Sequence, residues 1–202
     1  LDPEFPCVGA RSAINQGSYR FGMYSDLRDA ESTASLARDL RAFVAEQPQI
    51  EGEFTTFIAG FDTPKVREPK DFEALLWDQL RALHALDDAP WDATVARDPT
   101  APNFSFSFAG RAFFIVGLAP SGNRWARTFP WPVLVFNAHF QFERLRETGQ
   151  FQRMQDVIRE RDEQLEGDIN PNLADFGEHT EARQYSGRGV GEDWSCPVRF
   201  DD

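Results

Sequence analysis

The sequence has no long apolar run and few of the residues that build thiol-based sites. No stretch of 18 apolar residues occurs, so we expect no membrane-spanning helix. Only two cysteines are present, Cys7 and Cys196, and neither belongs to a CxxC or zinc-type spacing. The first residues of the given sequence lack the charged and apolar regions of a secretory signal, so we expect none. We therefore expect a reducing, cytoplasmic setting, in which the spacing gives no support to a Cys7–Cys196 disulfide.

Positive charge is also scarce. The chain has 21 Lys and Arg against 33 Asp and Glu, a net charge of −12. A protein that binds nucleic acid or an anionic membrane needs a positively charged surface, so neither is an expected partner. An acidic protein suits a small cationic substrate, although acidity serves only solubility in many proteins.

Several common catalytic motifs are missing. There is no GxxxxGK[ST], no GxGxxG after a strand and no GxSxG, which argues against nucleotide binding and serine hydrolysis. The glycine-dense segment 187–191 lacks a strand before it and a helix after it, so we interpret it as a loop.

Aromatic residues, in contrast, are plentiful: 19 Phe and 5 Trp in 202 residues. Such side chains line wide, flat cavities, but they also fill ordinary cores. The length predicts a single domain over residues 6–202. Residues 1–5 resemble translated restriction sites, and we interpret them as a cloning remnant.

Periodicity predicts an α+β fold. Helices are expected over residues 31–46, 71–84 and 139–165, the last with a break near Thr148-Gly149, and strands over residues 54–61, 104–108, 111–118 and 133–136, with a further short one at 19–24. The order shows no regular βαβ alternation. We therefore expect an antiparallel or mixed sheet of about four strands, packed helices and a long extended C-terminal tail from Gly167.

His84 is one of three histidines, and it ends an apolar helical stripe. Leu76, Leu80 and His84 lie at i, i+4 and i+8, with Asp71 as the expected N-cap. An inward imidazole without a neighbouring acid is either a core residue with satisfied hydrogen bonds or a single axial ligand to a large apolar cofactor such as haem.

A second group lies at the junction of the last strand and the following helix. Such junctions present polar side chains at the edge of a site. His139 falls in the first helical turn, where the helix dipole opposes its protonation. Asn137 either caps the helix or contributes to a site, and Glu143 lies one turn further on. His179 with Glu178 and Glu181 makes only a weak candidate metal cluster.

Loop arginines form the third group of candidates. Arginine pairs and a tyrosine are suited to clamping the carboxylates of a dianionic cofactor. The candidates for this role are Arg124, Arg127, Arg183, Tyr185 and Arg188.

Together these segments resemble the YqcI/YcgG family over residues 6 to about 197. The resemblance rests on PCVGA at residues 6–10, LWDQLRALH at 76–84, FSFSF at 104–108, LVFNAHFQFERLR at 134–146, IRERD at 158–162, NPNLADFG at 170–177 and EARQYSGR at 181–188. Many relatives carry His in the loop where this chain has Ala119.

The resemblance implies a haem-dependent N-oxygenase that hydroxylates a guanidino nitrogen of L-arginine or a related cationic amino acid. It implies haem b bound through His84, with His139, Asn137 and Glu143 as catalytic candidates and the loop arginines on the propionates. It also implies an external electron donor or peroxide. Glu143, Asp175 and Glu178 are candidates to hold the substrate guanidinium. A homodimer is one assembly the sequence allows. The alternatives are a non-catalytic haem binder or gas sensor, and a cofactor-free interaction domain.

Overall fold

The fold is built on one five-stranded mixed sheet. The computed structural model describes residues 5–170, 172 and 179–201. The strands are β1 (Tyr19–Asp26), β2 (Thr56–Thr63), β3 (Phe106–Phe108), β4 (Arg111–Leu118) and β5 (Val133–Ala138). The helices are α1 (Val8–Gln16), α2 (Ala30–Glu46), α3 (Pro69–Ala85), α4 (Phe140–Glu147) and α5 (Phe151–Glu166). Three short 3₁₀ helices lie at Gln47–Gln49, Trp125–Arg127 and Glu181–Gln184.

The strand order is β1-β2-β5-β4-β3. Strands β1 and β2 are parallel and are joined through α2, as parallel neighbours require a crossover. The remaining pairs are antiparallel, and β3 and β4 form a hairpin that turns at Ala109 and Gly110, both with positive φ. This hairpin carries the phenylalanine face of β3 into the core.

The α+β class and the mixed sheet are as the sequence predicts, with two corrections. The sheet has five strands rather than about four, because the segment at Tyr19 is a full edge strand of eight residues. Helix α1 was not predicted, because it is only nine residues long and buries only Ala13. Its cap, Cys7, accepts a hydrogen bond from the Ala10 backbone.

Helices α2 and α3 pack against each other and against the sheet, and they enclose the main core. Leu76, Leu80 and Leu83 are buried, as the stripe on α3 predicts. The expected N-cap was wrong. The helix begins at Pro69 with Glu68 in the cap position, so Asp71 lies within the first turn.

The C-terminal region returns to the core rather than extending away from it. Within residues 179–201, the side chains of Ala182, Tyr185, Val198 and Phe200 are buried. The described part of the predicted tail is therefore irregular apart from one 3₁₀ helix, as expected, but it is attached to the core at these buried side chains.

No helix among the described residues combines the length and apolar character needed to cross a bilayer.

Candidate functional site

The structure places the two predicted histidines in two separate groups. The His84 cluster comprises His84, Trp91, Phe104, Phe106 and Phe200. The Glu181 network comprises Ser105, His139, Glu143, Glu181 and Tyr185. Residues 104–106, where β3 begins, and the C-terminal segment contribute to both groups.

His84 is only partly buried in the last turn of α3. Its Nε2 atom lies 3.1 Å from Nη2 of Arg97 and 3.4 Å from the carbonyl oxygen of Asp201. A guanidinium only donates hydrogen bonds, so the shorter contact requires Nε2 to accept. The lone pair that a metal would use is therefore on Nε2. In this structure that lone pair accepts a hydrogen bond from Arg97.

Aromatic rings surround this imidazole. Trp91 and Phe200 meet it edge-on, with ring centroids 5.6 and 5.5 Å away, and Phe200 stacks on Phe104 at 6.0 Å. The indole Nε1 atoms of Trp91 and Trp77 are buried and have no hydrogen-bond partner within the described part of the chain. A buried N–H without an acceptor costs free energy, so these donors are suited to a polar group supplied from outside the chain.

The imidazole nitrogen of His84 is a suitable ligand for haem iron. Iron could bind it only if the residues that now contact Nε2 moved away. A histidine nitrogen is a common proximal ligand of haem iron. A group bound at Nε2 would have to replace Arg97 and Asp201 as its neighbours. The segment 198–201 would then move with Phe200, whose ring now covers the imidazole edge.

Glu181 is the centre of the second group. One carboxyl oxygen, Oε1, accepts hydrogen bonds from Ser105 Oγ at 2.7 Å and Tyr185 Oη at 2.6 Å. The other, Oε2, lies 3.7 Å from Nε2 of His139. Burial raises the pKa of Glu181 to about 8. Since Oε1 takes both donors, a proton on this carboxyl belongs on Oε2, facing the imidazole.

Tyr185 is fully buried and ties this network to the sheet. Its hydroxyl accepts from the Phe106 backbone N–H at 3.1 Å and lies 3.2 Å from the Phe113 carbonyl. Burial, and then the neighbouring Glu181, raise its pKa well above the usual value, so the hydroxyl stays protonated.

His139 lies between two carboxyl groups. Its Nδ1 atom is 3.8 Å from Glu143, which pairs with Arg146 and is half-exposed. The pKa of His139 is lowered, first by burial and then by Arg146. The predicted neutral imidazole follows, but its main cause is burial rather than the helix dipole.

Asn137 does not cap α4. It lies in β5, and its side chain donates to the Phe114 carbonyl on the neighbouring strand at 3.3 Å. The cap position belongs to His139, which makes no side-chain capping bond. His139 and Glu143 are therefore brought together, whereas the polar group of Asn137 bonds across the sheet.

Ring contacts connect the two groups. Phe104 stacks on Phe200 and lies 6.1 Å from Tyr185, whose ring also stacks on Trp77 at 5.4 Å. A continuous path of side chains thus runs from the half-exposed Glu143 through the Glu181 network to His84.

The loop arginines predicted to bind the carboxylates of a cofactor form hydrogen bonds and ion pairs with different parts of the chain. Arg124 pairs with Asp162 at 3.0 Å and Asp168 at 2.8 Å, and Arg188 pairs with the buried Glu73 at 2.6 Å. Arg183 donates to the Gly191 carbonyl at 2.9 Å. Arg127 and Arg188 line one small cavity together.

A cavity of about 210 Å³ opens beside Arg183. His179, Trp194 and Cys196 also line it. This volume is smaller than that of most pockets for drug-sized ligands. His179 is exposed there, and Glu181 of the suggested metal cluster is directed instead into its own network.

Two further candidates, Asp175 and Glu178, lie outside the described residues. Within the described part, no group of three or more His, Cys, Asp or Glu side chains is arranged to hold a metal ion. Both cysteines are free thiols.

Sequence reasoning did not assign the residues that complete these groups. Arg97 and Ser105 carry no motif of their own. Glu181 was noted only beside His179, although its spacing to Tyr185 at i+4 in an aromatic-flanked segment was a usable signal. Their roles appear only when the C-terminal segment packs against β3.

Comparisons with known proteins extend over nearly the whole chain. The model of the YqcI/YcgG family matches residues 1–199, a range that includes residues 1–5. "Uncharacterized protein YqcI" of Bacillus subtilis (strain 168) is 29% identical over 191 residues, which are 90% of this chain and 75% of that protein. "Putative N(omega)-hydroxy-L-arginine synthase DcsA" of Streptomyces lavendulae is 26% identical over 125 residues, which are 59% of this chain and 47% of that protein. No solved structure matches the chain.

Proposed function

Because the chain belongs to the YqcI/YcgG family, we propose that it is an N-oxygenase that hydroxylates a guanidino nitrogen. The substrate is L-arginine or a related cationic amino acid, and with L-arginine the product is Nω-hydroxy-L-arginine. The printed name of the Streptomyces lavendulae relative supports this reaction class. We further propose haem b as the cofactor, which when bound supplies the activation of oxygen.

The observation that carries the proposal is the environment of His84. Aromatic rings line the imidazole, and the buried indole N–H of Trp91 has no acceptor among the described residues. The Nε2 lone pair accepts from Arg97, so iron at His84 would have to displace that donor. We therefore assign His84 as the residue that holds the iron.

The chain's other residues are proposed to handle protons. The reaction inserts one oxygen atom of O₂ into an N–H bond, consumes two electrons and two protons, and releases water. An external donor supplies the electrons, or peroxide supplies the oxygen atom and the electrons together. His139 lies 3.8 Å from Glu143 and 3.7 Å from Glu181, so a water bridging each gap would let its nitrogens pass protons between these two carboxyl groups.

The substrate assignment rests on the family resemblance and on the printed name of the Streptomyces lavendulae relative. The net charge of −12 is compatible with a cationic ligand, and a guanidinium requires a carboxylate partner. Glu143 is the described carboxylate that combines exposure with proximity to His139.

The proposal is tested by comparing His84→Ala with His139→Ala, both produced with a haem precursor. We expect His84→Ala to lose the Soret band while its circular dichroism stays that of the wild type. His139→Ala, the matched control, should retain the band and lose most of its turnover. Mass spectrometry of L-arginine reactions should find a gain of one oxygen that depends on His84.

A normal Soret band in His84→Ala would overturn the ligand assignment. Oxidation of amines but not of guanidines would overturn the substrate assignment alone. If ferrous protein binds oxygen or nitric oxide stably and oxidises nothing, the protein is a sensor.

A further inference from the structure

Strand β1 forms a free edge of the sheet. It pairs with β2 on one side and with no other described strand on its second side. Its eight residues make it longer than most strands, and neither a proline nor a lysine lies within it. Edge strands present unpaired backbone N–H and C=O groups, which proteins usually cover or interrupt with such residues.

The hydrogen bonds to β2 show which backbone groups of β1 face this edge. The Thr56 backbone N–H donates to the Ser18 carbonyl, and the residues of a strand point alternately to one neighbour and to the other. The even-numbered residues that follow therefore bond to β2. The backbone groups of Tyr19, Phe21 and Met23 point outward.

Side chains of the same chain already use the two ends of this edge. The Arg20 guanidinium donates to the Tyr19 carbonyl at 3.0 Å, and the Asp26 backbone N–H donates to Ser32 Oγ at 3.2 Å. Between these contacts, β1 has two residues whose N–H and C=O groups face outward. A strand that binds this edge is thus offered two donors and two acceptors.

The side chains along the edge are apolar and exposed. Tyr19, Phe21 and Met23 share one face of β1 and are 36%, 54% and 43% exposed. A Cβ added at Gly60 would lie 2.5 Å from Met23 Sδ and 3.3 Å from Trp131 Nε1, so both side chains cross over this glycine. The four side chains carry no charge, although the chain as a whole has a net charge of −12.

We propose that two copies of the chain pair through β1, antiparallel about a two-fold axis at Gly22, so that their sheets join into one. Phe21 then lies opposite Met23 of the second copy, and the two equivalent pairs exchange four backbone hydrogen bonds. The same pairs are neighbours on the apolar face. Gly22 meets its own copy at the axis, where the strands approach most closely and neither has a side chain.

The surface available indicates a weak, reversible dimer. At about 200 Å² for a whole ring, the three exposed strand side chains supply about 250 Å² per subunit. A standard interface buries about 800 Å² per partner, so backbone pairing and Trp131 leave this one at the small end of the range. We expect a dissociation constant of about 10 µM.

The dimer is independent of the proposed oxidation. Strand β1 lies at the opposite edge of the sheet from β3, which borders both the His84 cluster and the Glu181 network. Either proposal can therefore fail without the other.

The test is sedimentation velocity of the purified chain from about 1 to 200 µM in 150 mM NaCl. We expect the wild type to change from the chain mass of 23.0 kDa to twice that mass as its concentration rises. Phe21→Lys places a charge in the seam, and Met23→Pro removes an outward N–H without removing a bond to β2. Each should weaken dimerisation at least about tenfold, the equivalent of about 1.4 kcal/mol.

Two variants serve as matched controls. Met23→Leu keeps both the N–H group and an apolar side chain, and Leu86→Lys charges a residue on α3 that is as exposed as Met23. Both should dimerise like the wild type. If circular dichroism shows that Met23→Pro does not fold, Phe21→Lys against Leu86→Lys decides. A wild type that stays monomeric at 200 µM, dimerisation unchanged in Phe21→Lys, or an equal loss in Leu86→Lys would each overturn the proposal.

Discussion

Glu181 illustrates how one residue acquires properties that its type does not predict. Ser105 and Tyr185 both donate to one of its oxygens, yet burial outweighs these bonds and raises its pKa to about 8. In the unfolded chain the same carboxyl titrates near 4.3. Between these two values the folded protein binds the proton and the unfolded chain does not.

The sign of the pH effect follows from this difference. The folded state binds more protons than the unfolded state from about pH 4.3 to about pH 8, so the Glu181 contribution to stability falls as pH rises through that window. Glu181→Gln replaces the protonated carboxyl with a neutral amide. We expect the variant to lose less stability than the wild type between pH 5 and pH 8.

Urea denaturation at several pH values measures this effect. Glu163→Gln is the control, because Glu163 is exposed on α5, outside the Glu181 network, and its substitution should leave the slope nearly unchanged. Parallel profiles for the wild type and Glu181→Gln would show that Glu181 is ionised in the folded protein.

At the scale of elements, α5 depends on a polar anchor. Asp162 is its buried residue. The Asp162 carboxylate pairs with Arg124 at 3.0 Å and accepts from the Asn170 backbone N–H at 2.9 Å. It therefore joins α5 to the loop after β4 and to the segment that follows the helix.

We expect Asp162→Asn to lower the free energy of unfolding by about 2 kcal/mol or more, because it weakens a buried ion pair and the hydrogen bond from the Asn170 backbone N–H. Asp168→Asn removes the other partner of Arg124, whose side chain is 72% exposed, and should cost about 0.5 kcal/mol. Chemical denaturation of the two variants measures the difference, and equal losses would contradict the anchoring role.

At the scale of the whole molecule, the net charge of −12 dominates the long-range electrostatics. Self-repulsion among like charges destabilises the compact state, and salt screens it. We expect the melting temperature to rise by about 2 °C or more between 10 and 150 mM NaCl.

Choline chloride at the same ionic strength should have the same effect, since screening does not depend on the cation. A fall in melting temperature with salt would show that attractive ion pairs, such as Arg124–Asp162, outweigh the repulsion.

The sequence by itself determined the features that depend on local patterns. The apolar stripe of α3 predicts which face is buried, and the alternation in 104–108 predicts the strand and its hairpin. Thr148-Gly149 predicts the break between α4 and α5, because Gly149 has a positive φ that glycine adopts without strain. His84 and His139 were identifiable as candidates for the same reason, since each occupies a marked position on its own element.

Only the tertiary structure decided which side chains meet. Helix α1 is only nine residues long and buries only Ala13, so no long apolar stripe marked it in the sequence. Glu181 lies 76 residues from Ser105 in the chain, and the Asp201 carbonyl lies 117 from His84. Such contacts form because the C-terminal segment buries Tyr185 and Phe200 against the sheet. Burial then sets the charge state of Glu181, and burial is a property of the folded chain rather than of any short stretch of it.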